Sequence, residues 1–171
     1  MPSADTFSIP PIRELVKWRL KDCAVIVDPF ARNSRFGTLT NDLNPETAAT
    51  HHMDAIEFLT GLVAEGVQAD AVLFDPPYSN GQIIEMYQKI GRAFTGDDDL
   101  NRLGKHKDLM DRVLKTGGIA ICCGWNSMGM GVERRYSLEE ILLVPHGRVH
   151  NDTIVTVERK MQAGFGFGAQ P

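Results

Sequence analysis

The sequence predicts an α/β protein whose open, mostly parallel sheet ends in an antiparallel hairpin. Three observations carry that prediction. Two short apolar runs, Ala24–Val27 and Ala71–Phe74, each stop abruptly at an aspartate followed by proline, as buried strands do at the edge of a sheet. Segments with helical apolar spacing alternate with them. Two longer strand-like runs, Leu138–Val144 and Thr153–Glu158, flank the turn Pro145-His146-Gly147-Arg148 near the end of the chain. In open α/β sheets ligands sit at the carboxyl ends of the strands, so Asp28 and Asp75 are predicted to face one.

With 171 residues the chain is expected to form one domain, 1–162, followed by a flexible tail, 163–171. A hydrophobic content of 43% and a charged content of 23% are ordinary for a soluble globular protein. No apolar run has the length of a membrane span, and Met1-Pro2-Ser3-Ala4-Asp5 lacks the regions of a signal peptide, so a cytoplasmic location without a membrane partner is expected. Cys122 and Cys123 are neighbours on a predicted strand and point to opposite faces; with Cys23 they read as small buried residues. The net charge of −4 argues against tight autonomous binding to duplex DNA, because phosphate neutralisation supplies most non-specific affinity.

In order along the chain, Ile12, Leu15, Val16 and Leu20, with Trp18 alongside, form a helical stripe that is expected to pack on the sheet. The strand ending at Asp28 is followed by strand-like Thr38–Leu43, which contains Asp42, and by Thr50–Met53 before Asp54. Parallel neighbours normally need a crossover of about a dozen residues or more, usually a helix. These connections are shorter, so the first two crossover helices are expected to be missing or cut to single turns, leaving one face of the half-sheet poorly covered. The N-terminal helix, irregular loops or another subunit must cover it, which raises the expectation of a homo-oligomer or a partner subunit. His51 and His52 diverge as adjacent strand residues and have no third ligand at useful spacing, so no metal site is predicted.

Ala55–Glu65 reads as a helix capped by Asp54. Ser79–Gly81 reads as a turn, and Gln82–Phe94 as a helix with Ile83, Ile84, Met86, Tyr87 and Ile90 inward. After Asp97-Asp98-Asp99, a helix over Leu100–Leu114 carries Arg102, Lys105, His106, Lys107 and Arg112. This basic group reads first as a solvated face and second as a set of phosphate contacts. Lys115–Trp125 is a turn and a buried strand, and Asn126–Arg135 a mobile surface loop.

The chemistry concentrates at Asp75-Pro76-Pro77-Tyr78. An exocyclic base amine is a poor nucleophile because its lone pair is delocalised into the ring. Two acceptors on its hydrogens free that lone pair: Asp75 is one, and the carbonyl of Pro76 is the other, since Pro77 has no amide donor to compete for it. Tyr78 offers a flat face for a flipped base.

This tetrapeptide resembles the catalytic motif of the class I S-adenosylmethionine-dependent amino-methyltransferases, and the chain is most similar to the small DNA N6-adenine methyltransferases of phages and prophages. The resemblance implies a Rossmann-like sheet, S-adenosyl-L-methionine as cofactor, and DNA as partner, with methyl transfer to the N6 amine of adenine. It makes Asp28-Pro29-Phe30-Ala31 the first cofactor motif, although Arg32 and Ser34 stand where the family has glycines. Asn33 and Ser34 then offer polar contacts to the cofactor. Asp42, beside Leu43, matches the acid that accepts from the ribose hydroxyls, and Asp54, beside Ala55, the residue that meets the adenine. Pro10, Pro11 and Arg13 are candidates for enclosing the methionine end. An RNA base amine, a protein glutamine or a non-catalytic accessory role remain alternatives. No internal stretch is long enough for the target-recognition insertion common in such enzymes. Sequence choice then falls to the loops Ser79–Gly81 and Asn126–Arg135, to a second subunit or to a partner.

Overall fold

The structure is a computed structural model that describes residues 5–91, 102–147 and 151–162. Its strands are β1 Ile26–Asp28, β2 Leu39–Thr40, β3 Ala69–Phe74, β4 Leu114–Gly124, β5 Tyr136–Val144 and β6 Thr153–Lys160. They form one sheet in the order β2-β1-β3-β4-β6-β5. The first four are mutually parallel, and β6 runs antiparallel to both β4 and β5. This is the predicted class, including the terminal hairpin.

The helices are α1 Pro10–Leu20, α2 Ala55–Ala64, α3 Asn80–Lys89 and α4 Arg102–Val113. No helix connects β1 to β2 or β2 to the segment before α2, as the short connections require. The strand expected at Thr50–Met53 is reduced to a single parallel bridge, Asn41 with His51. A side chain replaces the missing ladder. Asn41 donates from Nδ2 to the carbonyls of Pro29 and Met53 at 3.2 and 3.0 Å, and its Oδ1 accepts from the Met53 amide at 3.1 Å.

Strand alternation divides the core in two. Val72 and Phe74 of β3 pack with Leu59 and Leu62 of α2 and with Met110 and Val113 of α4. Ala71 and Leu73 pack on the other face with Ile12, Val16 and Leu20 of α1. Cys122 and Cys123 fall into opposite cores, and Cys23 is only half-buried. The face expected to be bare is therefore covered by α1 and the turn Thr6–Ser8 before it, whose Phe7 meets Phe36 edge-on. Arg19 of α1 reaches Glu139 and Glu140 of β5 at 3.0 and 2.6 Å. Trp18 does not join the stripe: it is 57% exposed, because it lies two residues from both Val16 and Leu20 and so on the opposite side of the helix.

Two further expectations are corrected. Ser79 caps α3 by accepting from the Gln82 amide at 3.3 Å, so Asn80 and Gly81 belong to the helix. The segment Asn126–Arg135 is anchored: Met130 is fully buried and its amide donates to the Glu158 carboxylate at 2.7 Å. Gly129 permits this approach, since a Cβ there would lie 1.9 Å from a Glu158 oxygen. The predicted helix end at Phe94, Asp97–Asp99, Arg148 of the turn and the tail 163–171 lie outside the described residues. No helix among the described residues is long and apolar enough to cross a membrane.

Candidate active site

The same alternation that sorts the core sorts the strand ends. Asp75 follows Leu73 in parity and falls on the α1 side, while Pro76 falls on the side of α2 and α4. The partly buried Asp75 carboxylate accepts a hydrogen bond from the Tyr78 hydroxyl and another from Thr6. Burial raises the Asp75 pKa, and these two bonds oppose the rise. The Tyr78 hydroxyl is itself pushed up, by burial first and then by the Asp75 charge. Tyr78, expected to offer its face, is held at three points. Its hydroxyl is on Asp75, its amide donates to Gln82 Oε1 at 2.7 Å, and its ring meets Trp125 edge-on with centroids 5.6 Å apart.

Asp28 is fully buried at the end of β1. One oxygen accepts from the Phe30 amide at 3.2 Å; the other, Oδ2, has no partner. Burial, with Asp75 and Asp42 nearby, holds its carboxyl well above the usual range. Gly37 is needed here, because a Cβ would come within 2.9 Å of the Asp28 Cβ.

On the α2 and α4 side lies a cavity of about 60 Å³. It brings together seven of the sequence-predicted residues: Phe30, Asp42, Leu43, Asp54, Ala55, Pro76 and Pro77. Asn41, Met53, Ile83, Met86, Tyr87, Arg102, Leu103 and His106 complete its wall. Asp42 holds the loop around it, accepting from the Asn44 amide at 2.8 Å and the Arg32 amide at 3.2 Å. Asp54 caps α2, accepting from the Ile56 and Glu57 amides at 2.8 and 3.4 Å, and receives Arg102 Nη2 on both oxygens at 2.9 Å.

Pro29, Ala31 and Asn33 shape the loop and do not line the cavity, and Asp28 and Asp75 do not line it either. Pro29 accepts from Asn41, the Ala31 amide donates to the Asn41 carbonyl at 2.9 Å, and Asn33 Oδ1 accepts from the Ala48 amide at 3.1 Å. Where the resembled family has glycine, Arg32 adopts a left-handed φ of 49°, so the chain keeps a glycine-like turn with a side chain on it. Pro10, Pro11 and Arg13 are exposed at the start of α1; Thr6, just before them, is the residue that reaches Asp75.

Sequence reasoning missed Thr6, Arg102 and His106. The basic group of α4 is not one solvated face. Arg102 is bound to Asp54, the Lys107 ammonium lies 5.9 Å from the Phe74 ring, and His106 is buried against Phe30 and Phe74. Burial lowers the His106 imidazole to about 4, with Arg102 adding to the effect, and its Nδ1 has no hydrogen-bond partner. One signal was available, since His106 stands at helical spacing from Leu109, Met110 and Val113, which makes it part of the apolar stripe.

Two carboxylates, Asp42 beyond β2 and Asp54 at the start of α2, with the apolar Phe30, Met53, Leu103 and Pro76 around them, suit a flat group bearing hydroxyls and an amine.

No family model and no curated protein matches the sequence. Solved structures do match. The candidate methyltransferase SMU.776, complexed with SAH, superposes with a TM-score of 0.55 at 12% identity over 85% of this chain and 48% of its own. NSun6 from Pyrococcus horikoshii, solved with SFG, gives 0.55 at 14% identity over 86% of this chain and 51% of its own. The candidate methyltransferase yhhF from Escherichia coli gives 0.53 at 14% identity over 89% and 87%. The fold is that of the class I methyltransferases. The chain spans about half the length of the first two structures. The segment before α2 is cut to one bridge, Asn41 with His51.

Proposed function

We propose that the protein transfers a methyl group from S-adenosyl-L-methionine to the exocyclic N6 amine of adenine in DNA. The observation that carries this reading is the position of Asp75-Pro76-Pro77-Tyr78. The motif leaves the carboxyl end of the central strand β3, and its two prolines line the cavity that also contains Asp42 and Asp54. Asp42 is the residue for the ribose hydroxyls and Asp54 for the adenine edge, with Phe30, Met53 and Leu103 as apolar walls. When bound, the cofactor supplies an electrophilic methyl group on a sulfonium.

The chain's own part is to prepare the amine. Asp75 and the Pro76 carbonyl accept its two hydrogens, which draws the nitrogen lone pair out of the ring. The Tyr78 hydroxyl donates to Asp75 Oδ1, and Thr6 donates to the same carboxylate. Asp75 need not be a strong base: once the nitrogen carries the methyl group it is acidic, and its proton passes to Asp75 or to water.

Calorimetric titration with S-adenosylmethionine and its demethylated product, followed by transfer assays on DNA and RNA, tests the reading. Asp75→Ala is expected to lower transfer by about a thousand-fold or more while cofactor affinity stays within about two-fold. A variant that keeps methylating removes Asp75 from the mechanism. Transfer to RNA and not to DNA moves the acceptor to an RNA base.

A further inference from the structure

We propose that Trp125, with Tyr78, forms a stacking platform for an unpaired nucleobase of the substrate strand. This rests on the nucleic-acid acceptor proposed above and adds how that acceptor is held. Phe74 of β3 lies opposite Cys122 of β4, so continuing the register places Trp125 beside the proline pair of the motif. Its parity is that of Cys123, the face shared by Leu73 and Tyr78, so it stands on the Asp75 side of the sheet.

Tyr78 is tied to Asp75 and packed against the α1-side core. Trp125 is 42% exposed and meets the edge of Tyr78, which extends the aromatic surface from the catalytic carboxylate to solvent. Met128, 69% exposed, follows it in a segment that Met130 anchors to Glu158. Large apolar side chains left open beside a reactive carboxylate suit a base, which has an apolar face and a polar edge.

Charge points the same way. The chain has a net charge of −4, and two arginines are paired with acids, Arg102 with Asp54 and Arg134 with Asp108. Stacking then supplies binding that phosphate contacts do not, and an unpaired base is the partner that offers a free face.

The sequence has two tryptophans, so in Trp18→Phe the emission comes from Trp125 alone. Titration of this variant with single-stranded oligodeoxyadenylate is expected to quench that emission, and an abasic strand of equal length to leave it unchanged. Trp125→Ala is expected to raise the Kd for the strand about ten-fold or more, with Trp125→Phe restoring most of it and calorimetric S-adenosylmethionine binding unaffected. Equal quenching by both strands, no quenching, or an unchanged Kd in Trp125→Ala overturns the platform. Because quenching needs no methyl transfer, a strand that quenches yet is never methylated counts against the proposed reaction and leaves the platform standing. Full methylation by Trp125→Ala at unchanged KM removes the platform and leaves the reaction.

Discussion

His106 is a neutral imidazole enclosed by two aromatic rings in the wall of the proposed cofactor pocket. Around it stand Arg102 and Lys105, which lower its pKa, and Asp54, which raises it. Folding moves the group from 6.5 to about 4, so between those values the unfolded chain holds a proton that the folded chain does not. Its stabilising contribution is complete above 6.5 and is lost as pH falls through about 4. Asp28 and Asp75, with raised values, act in the opposite sense: their contribution is present in acid and lost as pH rises through those values. His106→Phe keeps the ring contacts and removes the titration. Chemical denaturation at a series of pH values is expected to show a wild-type stability that falls relative to the variant between 6.5 and about 4. A constant difference across that range refutes the assignment. The acids at 42, 54 and 75 were legible because each stands in or just after a strand-like run. His106 was hidden among lysines and arginines whose charges resemble a solvent face, and only burial separates it from them.

At the scale of elements, α2 and α4 meet through one residue with two duties. Asp54 caps α2 through the Ile56 and Glu57 amides and binds Arg102 at the start of α4, the two side chains being 32% and 25% exposed. Asp54→Ala removes both and is expected to cost about 2 kcal/mol in urea denaturation, roughly 1 from the cap and up to about 1 from the ion pair. Asp54→Asn keeps a capping oxygen and loses the pair, so its cost is expected to stay below about 1 kcal/mol. Equal losses in both variants would mean that the cap contributes nothing. The sequence announced this cap, because aspartate before an apolar helical run has a local cause. It did not announce Arg102, 48 residues away, nor the use of Asn41 in place of a strand. Both depend on which segments meet.

For the whole molecule, the absence of two crossover helices left a face to be covered by the N-terminal helix, by loops or by a second subunit, and α1 packs on it. The edge strand β5 keeps Leu138, Ile141 and Leu143 at least half exposed, tied to α1 through Glu139 and Glu140. The overall charge sets a further expectation. A protein of net charge −4 that holds its strand by stacking neutralises few phosphates, so its log Kd for single-stranded DNA is expected to rise with log salt with a slope of about 2 or less. A slope of about 6 or more would reveal a basic footprint and a different mode of binding.

The sequence by itself determined the α/β class, the terminal hairpin, the missing crossovers, and the aspartates at the strand ends. These follow from local causes: apolar runs stop at proline, connection lengths limit topology, and strand ends meet ligands. Only the tertiary structure decided that α1 covers the second face, that Arg102 and His106 close the pocket, that Tyr78 is held on Asp75, and that Trp125 stands beside it. Apart from the local bond of Tyr78 to Asp75, each of those is a contact between segments or strands whose side chains could as well have faced water. Packing in three dimensions, and no local pattern, selects among such partners.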